Sequence, residues 1–204
     1  IGLVVGFVLW RGHGQKWGKY LFIALVICIP AQLWYLPFST MARYEARMTF
    51  PVLADFDGKH FKWLWKENYK ARFQMVPGGK ERGNALRLVS GPPSSWPGAR
   101  MTHFPEDWAG YSELVLDVRM VRSPGDSLRF GVRIDDFEGR LDKLWVQQSY
   151  YATDQWQTFS LPIANRKVLR GDRYLDLGDV EALVVYVGMP KDSFALEIDN
   201  IRLQ

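Results

Sequence analysis

The sequence predicts a mainly β fold, a sandwich or barrel of about ten short strands, with an N-terminal transmembrane segment before it. From Pro51 onward, apolar and polar residues alternate with a period of two over short runs. Turn signals rich in glycine and proline separate these runs, as in PGGKERG, GPPSSWPG and SPGD. Residues 20–38, by contrast, form an apolar stretch with no charged side chain. We therefore divide the chain into a membrane segment, residues 1–50, and a β-rich domain, residues 51–204.

The basic excess of the chain belongs to the membrane segment. The whole chain has 26 Lys and Arg residues against 22 Asp and Glu residues, a net charge of +4. Five of the bases and one of the acids fall in residues 1–50, so residues 51–204 hold 21 of each. Because nucleic-acid binding needs a basic surface, we expect no nucleic-acid partner for the β-rich domain.

Residues 20–38 (YLFIALVICIPAQLWYLPF) are long enough to cross a bilayer as a helix. At 1.5 Å per residue they would rise about 28 Å, close to the roughly 30 Å hydrocarbon core. Aromatic residues that favour the water–lipid boundary lie at the ends of the two apolar stretches: Trp10, Trp17, Trp34 and Tyr35. The alternative is a signal peptide with its apolar region at residues 20–30, but another apolar stretch precedes it and the run continues to Phe38. Since the chain opens on Ile1 inside an apolar run, we expect a truncated first helix whose upstream part is missing.

The charges that flank residues 20–38 predict the orientation of an integral membrane protein. Arg11, Lys16 and Lys19 form a cationic loop between the two apolar stretches, and such loops prefer the cytoplasm. The lipid bilayer is then a partner, and the β-rich domain lies on the outer side, periplasmic or extracellular. Arg43 and Arg47 follow the second span and count against this orientation.

The alternation within the β-rich domain assigns faces to the strands. In residues 114–120 the even-numbered positions are Leu, Leu, Val and Met, and in residues 128–135 they are Leu, Phe, Val and Ile. Alternate side chains of a strand share a face, so these positions belong to the core and their neighbours point away from it. Strands are predicted at residues 52–56, 71–76, 85–90, 99–104, 114–120, 128–135, 144–151, 156–161, 182–189 and 194–203. The run RYLDLGDVEA predicts a single helical turn before the strand at 182.

Several segments in a fixed order carry a family resemblance over about residues 50–204: VLADFDG, WPGARMTHFPEDWAGYSELVLDVRM, SLRFGVRIDDF, DQWQTFSLPI, RYLDLGDVEALVVYV and FALEIDNIRL. In this order they resemble the galactose-binding-like jelly rolls of many non-catalytic carbohydrate-binding modules. They are also similar to the complex-I-intermediate-associated class. The resemblance implies a jelly-roll β-sandwich that binds a polysaccharide or oligosaccharide. The N-terminal spans are similar to the tail of a VanZ-like membrane module.

Polar and aromatic side chains on two consecutive strands predict where a glycan would bind. Sugar recognition needs aromatic rings that stack on sugar C–H faces, and planar polar groups that contact the hydroxyls. The candidates are Arg129, Arg133 and Asp135 on one strand, with Trp145, Gln147 and Tyr151 on the next. The alternative is a solvated face of cross-strand ion pairs, such as Arg133 with Asp117.

Three further tryptophans are candidate stacking platforms. Trp63 and Trp65 lie two residues apart in HFKWLWK, which would place them on one face of an extended segment. Packing on the sandwich edge or at the membrane surface is the alternative for this pair. Trp96 lies in the proline-rich loop GPPSSWPG and would stand at a loop tip.

The resemblance also implies a structural calcium ion between the first and last strands. The matching acids are Asp55, Asp57, Glu197 and Asp199. Calcium takes six to eight oxygen ligands, and clustered carboxylates would need such a cation to offset their repulsion. Transition metals are not expected, because Cys28 is the only cysteine and the three histidines are far apart in the sequence.

The sequence favours a binding module over an enzyme. It contains no GxSxG, HExxH, Walker A or GxGxxG motif. A glycosidase needs two carboxylates across a cleft, and the adjacent Asp135 and Asp136 would point to opposite faces of their strand. The alternative function is a structural or assembly module that contacts a partner protein without a glycan site. A groove with exposed aromatic rings beside Arg and Asp would favour carbohydrate binding, and a flat, salt-bridged face would favour the alternative.

Overall fold

The computed structural model describes residues 38–58, 60–81, 83–90, 95–142 and 144–204. The chain divides into two compact units, Ile1–Met41 and Ala42–Gln204. The predicted first helix, the cationic loop and all but the last residue of the predicted span at 20–38 lie outside the described residues. Within the described ranges, every helix is too short or too polar to traverse a bilayer.

The described chain forms mostly strands. A helix over residues 38–49 (α1) comes first, and a short helix (α2, Phe137–Asp142) lies between the seventh and eighth strands. The strands are β1 (Val52–Ala54), β2 (Trp65–Asn68), β3 (Arg72–Pro77), β4 (Asn84–Ser90), β5 (Gly98–Met101), β6 (Glu113–Arg122), β7 (Leu128–Asp136), β8 (Val146–Ala152), β9 (Gln157–Pro162), β10 (Val180–Val187) and β11 (Phe194–Leu203). A 3-10 turn over Phe61–Leu64 leads into β2.

The strands form two antiparallel sheets. One sheet has the order β3-β4-β11-β6-β9, with β1 added beside β11, and the other has the order β2-β5-β10-β7-β8. Consecutive strands β6 and β7 lie in different sheets, as do β10 and β11, so the chain crosses repeatedly between the two layers. The predicted mainly β sandwich is confirmed.

The core lies between the two sheets and follows the predicted alternation. Phe130 and Val132 of β7 are buried, as are Leu196 and Ile198 of β11 in the opposite sheet. Each such side chain contributes roughly 1.5–3 kcal/mol when fully buried. The residues between them along each strand therefore point to the two outer faces, where a site can form.

The outer face of the six-stranded sheet is filled by ion pairs. Buried Glu197 of β11 accepts hydrogen bonds from Arg87 of β4 (Nη2–Oε1 2.5 Å) and from Arg119 of β6 (Nε–Oε2 2.6 Å). Along the same face, Lys80 Nζ donates to Asp117 Oδ1 at 2.8 Å. We call these five residues the ionic ladder. Both buried carboxylates of this ladder, Glu197 and Asp117, are thus paired with cations.

The sequence located the strands but not every connection. Each of the ten predicted strands is present, the last with its predicted ends 194–203 and the others with ends shifted by up to three residues. Strand β2 is an additional short strand at the edge of its sheet. The predicted helical turn in RYLDLGDVEA is wrong, because this segment forms an isolated bridge from Tyr174 to Lys167 and then a non-helical turn. The strand predicted at 52–56 ends early, since Phe56 adopts a left-handed backbone with φ 59°.

Candidate functional site

The outer face of the five-stranded sheet carries two cross-strand rows of polar and aromatic side chains. Strand register places Gln147, Arg133, Val184, Arg100 and Lys66 in one row, from β8 to β2. It places Ser149, Gly131, Tyr186, Gly98 and Asn68 in the neighbouring row. Because these positions alternate with core residues, the sequence pattern itself directs them outward.

Arg133 is fixed at the centre of this face. Its Nε and Nη2 atoms donate to the two carboxylate oxygens of Asp135, at 2.5 and 3.0 Å. Asp135 is almost fully buried, and Arg100 lies 3.7 Å from the same carboxylate. The Arg133 guanidinium also lies 3.8 Å from the centroid of the Trp145 ring. A bidentate ion pair and a cation–π contact together hold both the guanidinium and the indole in one geometry.

Gln147 links the two rings of the site. Its Oε1 atom accepts hydrogen bonds from Trp145 Nε1 at 2.9 Å and from the Tyr186 hydroxyl at 3.3 Å. The carbonyl oxygen of the Gln147 amide therefore already accepts two hydrogen bonds. Within the described part of the chain, the Gln147 amide nitrogen keeps its donors for a ligand, and an amide N–H suits a sugar hydroxyl.

Tyr186 lies over Gly131 because that position has no side chain. A Cβ atom at Gly131 would meet Tyr186 Cζ at 2.3 Å, far inside van der Waals contact. Burial raises the pKa of the Tyr186 hydroxyl, against the opposing effect of the charges on Arg129 and Arg133. The phenol therefore stays protonated at neutral pH and remains a hydrogen-bond donor.

Trp96 forms the exposed edge of the site. Its ring is 5.5 Å from that of Tyr186 in a T-shaped arrangement, and the residue is 43% exposed. The loop that carries it is tied to the end of β10, where Val187 N donates to Pro97 O and Met189 N donates to Ser95 O. The loop thus presents an indole to solvent from a fixed position.

These side chains line an open cleft of about 540 Å³. The lining residues are Asn68, Tyr69, Trp96, Arg133, Leu144, Trp145, Gln147, Leu169, Arg170, Val184 and Tyr186. Apolar and aromatic surfaces alternate with two guanidiniums and two amides, and no carboxylate belongs to this described lining. The composition matches that of a preformed pocket for a neutral or anionic polar ligand.

The structure brings together most of the residues predicted for a glycan site. Arg133, Trp145, Gln147 and Trp96 line the cleft, and Asp135 supports Arg133 from beneath. Two further predicted residues share the face but lie outside the cleft: Arg129 and Tyr151, which stand opposite each other in the register of β7 and β8. The predicted alternative of an Arg133–Asp117 ion pair is wrong, because the two residues lie in different sheets.

Sequence reasoning missed Tyr186, Tyr69 and Arg170. Tyr186 lies in VEALVVYV, where both strand faces are apolar and periodicity alone cannot tell inward from outward positions. Tyr69 follows β2, a strand that the sequence did not reveal, and Arg170 lies on a loop with no periodic pattern. The register of the structure, which pairs Tyr186 with Gly131, is what places the Tyr186 side chain on the outer face.

The predicted pair of stacking residues, Trp63 and Trp65, does not form a strip on one face. Trp63 belongs to the 3-10 turn and packs partly against the core. Trp65 is only 4% exposed, and its ring lies 5.8 Å from that of Phe56. The backbone turns between the two residues, so a buried Trp65 offers no platform to a ligand.

The four acids predicted to hold calcium do not form one ligand set. Both oxygens of Glu197 are bound by arginines of the ionic ladder. Asp57 Oδ1 accepts from Asn84 N at 2.7 Å, Asp199 Oδ2 accepts from Lys80 N at 2.8 Å, and Asp55 Oδ1 accepts from Asp57 N. Across the described residues, no group of three or more His, Cys, Asp or Glu side chains is arranged to hold a metal ion. N–H donors contact each of these carboxylates, and the structural calcium ion stays a prediction.

The surroundings of Asp199 shift the pKa of its carboxyl group in both directions. Burial raises the pKa of Asp199, hydrogen bonds from the Lys80 and Asn200 amides lower it, and the charges of Asp117 and Asp57 raise it further, for a net rise. Lys80 stands between the acids, with its amide on Asp199 and its ammonium on Asp117. A lysine therefore supplies positive charge at the place where calcium was expected.

Comparison with known proteins identifies the fold. No protein-family model matches the sequence, and no curated protein matches it. Among solved structures, the chain is similar to a family 11 carbohydrate-binding module from Clostridium thermocellum in complex with a β-1,3-1,4-mixed-linked tetrasaccharide. The TM-score is 0.56 at 18% identity, over 74% of this chain and 93% of that module.

The chain is also similar to part of an exo-β-agarase, with a TM-score of 0.61 at 18% identity over 75% of this chain. Another agarase matches with a TM-score of 0.58 at 13% identity. This chain spans about a quarter of the length of either agarase, 25% and 26%. At these identities the similarity establishes the jelly-roll sandwich and no more.

Proposed function

We propose that residues 51–204 form a non-catalytic carbohydrate-binding module that holds a polysaccharide or oligosaccharide in the cleft of the five-stranded sheet. The observation that carries the proposal is the fixed Arg133–Trp145 stack beside the exposed Trp96 in an open cleft. Rings at two places along the cleft supply stacking surfaces for successive sugar units. Arg133 and Gln147 supply N–H donors for hydroxyl groups, while the Tyr186 hydroxyl holds the Gln147 amide in place.

The two outer faces of the sandwich favour this reading over a structural module. On the face of the six-stranded sheet, the ionic ladder pairs both of its buried acids with cations, which is the arrangement expected of a face that serves stability. The face of the five-stranded sheet instead has a cleft, half-exposed aromatic rings and polar groups with spare donors. The face of the six-stranded sheet could still contact a partner protein, whereas the described residues on the face of the five-stranded sheet favour a glycan.

The described lining of the cleft does not carry the groups that glycoside hydrolysis requires. Two carboxylates about 5–9.5 Å apart would have to flank the bound sugar. The described lining of the cleft contains none, and Asp135 beneath it is occupied by Arg133 and Arg100. The similarity to one quarter of an agarase agrees with a role as an appended domain of this kind.

We further propose that the module is attached to a membrane and faces the outer side. This part of the proposal rests on the sequence, on the uncharged run at residues 20–38 and the cationic loop before it. Helix α1 directly follows that run and joins the sandwich at β1. A protease added outside intact cells should cleave the sandwich loops if the orientation is correct, and should leave them intact if it is reversed.

Replacing Trp145 tests the glycan site, with Trp156 as a matched control. Each indole stacks on an arginine, Trp145 on Arg133 and Trp156 on Arg119, but the two stacks lie on opposite sheets. A panel of soluble polysaccharides including β-1,3-1,4-glucan, agarose oligosaccharides and polygalacturonate would identify a ligand for calorimetry. Trp145→Ala should weaken its binding about 30-fold, the equivalent of losing roughly 2 kcal/mol at a stacking centre.

The control separates binding from folding. Trp156→Ala should leave the affinity unchanged, and both variants should keep the far-ultraviolet circular dichroism of the parent chain. Equal affinity in the parent and in Trp145→Ala, or equal losses in the two variants, would remove the site from the five-stranded sheet.

A further inference from the structure

We infer that the ligand of the cleft is an acidic polysaccharide, one that carries carboxylate or sulfate groups. This inference rests on the proposed function and adds a class of ligand to it. A second pocket of about 430 Å³ adjoins the cleft and is lined by Gln147, Arg166, Lys167, Val168, Leu169 and Arg170. It shares Gln147, Leu169 and Arg170 with the cleft, so a chain lying in the cleft extends directly into it.

The three cations of this second pocket have no acidic partner among the described residues. Arg166 Nη2 donates to the neutral Gln148 Oε1 at 3.3 Å, and Lys167 Nζ lies 5.8 Å from the ring of Tyr174. Arg170 is exposed and makes neither an ion pair nor a side-chain hydrogen bond within that part of the chain. Among the described residues that line the two pockets, none carries a carboxylate. An anion placed here would therefore meet uncompensated positive charge.

This lack of compensation is local and contrasts with the rest of the sandwich. Other arginines are paired with acids, as Arg87 and Arg119 are with Glu197, and Arg173 is with Asp136. Residues 51–204 balance at 21 bases and 21 acids, so three uncompensated cations at one end of the cleft are a concentrated excess. Guanidinium groups bind carboxylate and sulfate through parallel N–H donors, which suits acidic sugars.

The backbone holds these cations in place. Leu169 N donates to Trp145 O at 2.7 Å, which ties the loop to the stacking tryptophan of the cleft. Val168 N donates to Arg173 O at 3.1 Å, and Lys167 bridges to Tyr174. Arg170 has a left-handed backbone, φ 63°, between these fixed points. These backbone contacts fix the position of the cationic pocket relative to the cleft.

A nucleic acid is the competing anionic ligand, and the geometry disfavours it. Single-stranded nucleic acids require a positive groove that follows several successive phosphates alongside the stacked bases. Here the three cations without an acidic partner among the described residues lie together at one end, while Arg133 in the middle of the cleft is paired with Asp135. An acidic group at one end of a mostly hydroxylated chain fits this distribution better.

The test compares three polysaccharides on the full chain: polygalacturonate, a sulfated galactan and neutral β-1,3-1,4-glucan. We expect an acidic polysaccharide to bind more tightly than the glucan at 20 mM salt and to lose this advantage at 500 mM, because salt screens exposed charges. Polygalacturonate and the sulfated galactan distinguish carboxylate from sulfate. Arg170→Gln and Lys167→Gln should each weaken acidic binding about 10-fold, and Arg122→Gln, an exposed cation on β6 of the other sheet, should not.

The outcomes separate this inference from the proposed function. Neutral glucan bound as tightly as the acidic chains, sensitive to Trp145→Ala but not to Arg170→Gln, would overturn the acidic ligand and leave the module as a glycan binder. Binding of none of the three polysaccharides would overturn both. Tighter binding of a single-stranded oligonucleotide through Arg170 and Lys167 would also overturn the acidic polysaccharide.

Discussion

The absence of a side chain at Gly131 determines the shape of the binding face. Tyr186 occupies the space above this residue, and the Tyr186 hydroxyl reaches Gln147 from there. A methyl group at position 131 would displace a rigid ring and not the tip of a flexible chain. The hydrogen bond to Gln147, and with it the amide that we assign to sugar recognition, would shift.

Gly131→Ala should therefore destabilise the fold by about 1–3 kcal/mol, the usual cost of overpacking, and should also weaken glycan binding. Denaturant unfolding measures the first effect and calorimetry the second. The double variant Gly131→Ala, Tyr186→Ala removes the clash and should recover part of the lost stability relative to the sum of the two single variants. Strict additivity of the two substitutions would show that the ring and the glycine are independent.

For single residues, the sequence predicted which face of a strand a side chain lies on better than it predicted which side chains touch. Alternation along β7 was sufficient to direct Arg133 and Asp135 outward together, as the structure shows. It could not show that Trp145 stacks on Arg133, because that contact depends on the path of the chain between β7 and β8. It also misplaced Trp65, since one irregular turn is enough to reverse the facing of every residue after it.

Helix α1 is joined to the sandwich through two histidines. Glu45 Oε1 lies 2.6 Å from His60 Nδ1, and Arg43 Nη2 lies 3.2 Å from His103 Nδ1. Because arginine can only donate, His103 must accept through an unprotonated Nδ1. Burial lowers the pKa of His103, the charges of Arg43 and Lys66 lower it further, and Glu106 partly opposes them.

The stability of this junction should consequently depend on pH. His103 has a lower pKa in the folded than in the unfolded protein, so its contribution is fully present above about pH 6.5 and is lost as the pH falls through and below that value. Melting temperatures at pH 7.5 and 5.5 measure the loss. His103→Asn should reduce the difference between the two temperatures, and asparagine tolerates the left-handed backbone of this position, φ 67°.

A nuclear magnetic resonance titration of the His103 ring protons gives a second, local readout. Lys66→Gln removes one of the charges that lower the pKa, so the midpoint should move upward in that variant. A midpoint above 6.5 in the parent chain, or one that Lys66→Gln does not move, would contradict this description of the junction.

The segment between β9 and β10 is the element that the sequence predicted least well. It was expected to form a helical turn, but it is held by Asp136, a buried residue at the end of β7. Asp136 accepts hydrogen bonds from Arg173, from the Gly139 amide and from the Asp176 amide. Burial opposes ionisation of Asp136, but these hydrogen bonds together outweigh it and lower its pKa. Long-range anchoring of this kind has no local signal in the sequence, and the same segment carries Arg170.

At the scale of the whole molecule, we assign a stabilising role to the outer face of the six-stranded sheet and ligand binding to that of the five-stranded sheet. The six-stranded sheet keeps buried acids matched to arginines and lysine, and removing one partner of a buried pair typically costs about 3–5 kcal/mol. The five-stranded sheet exposes rings and leaves donors and cations without partners. The sequence predicted the sandwich because period-two alternation is a strong signal. It could not predict which outer face carries the cleft, because that depends on the path of the connecting segments.

The central claim, that a glycan binds in the cleft of the five-stranded sheet, is tested most directly by the indole N–H resonances of the tryptophans during titration with the polysaccharide that binds best. The resonances of Trp145 and Trp96 should shift, because both rings line the cleft. Two other resonances should stay in place: that of Trp108, which is buried with its indole nitrogen bonded to Pro105 O, and that of Trp156, which stacks on Arg119 of the other sheet. Shifts at Trp156 with Trp145 and Trp96 unmoved would contradict the account.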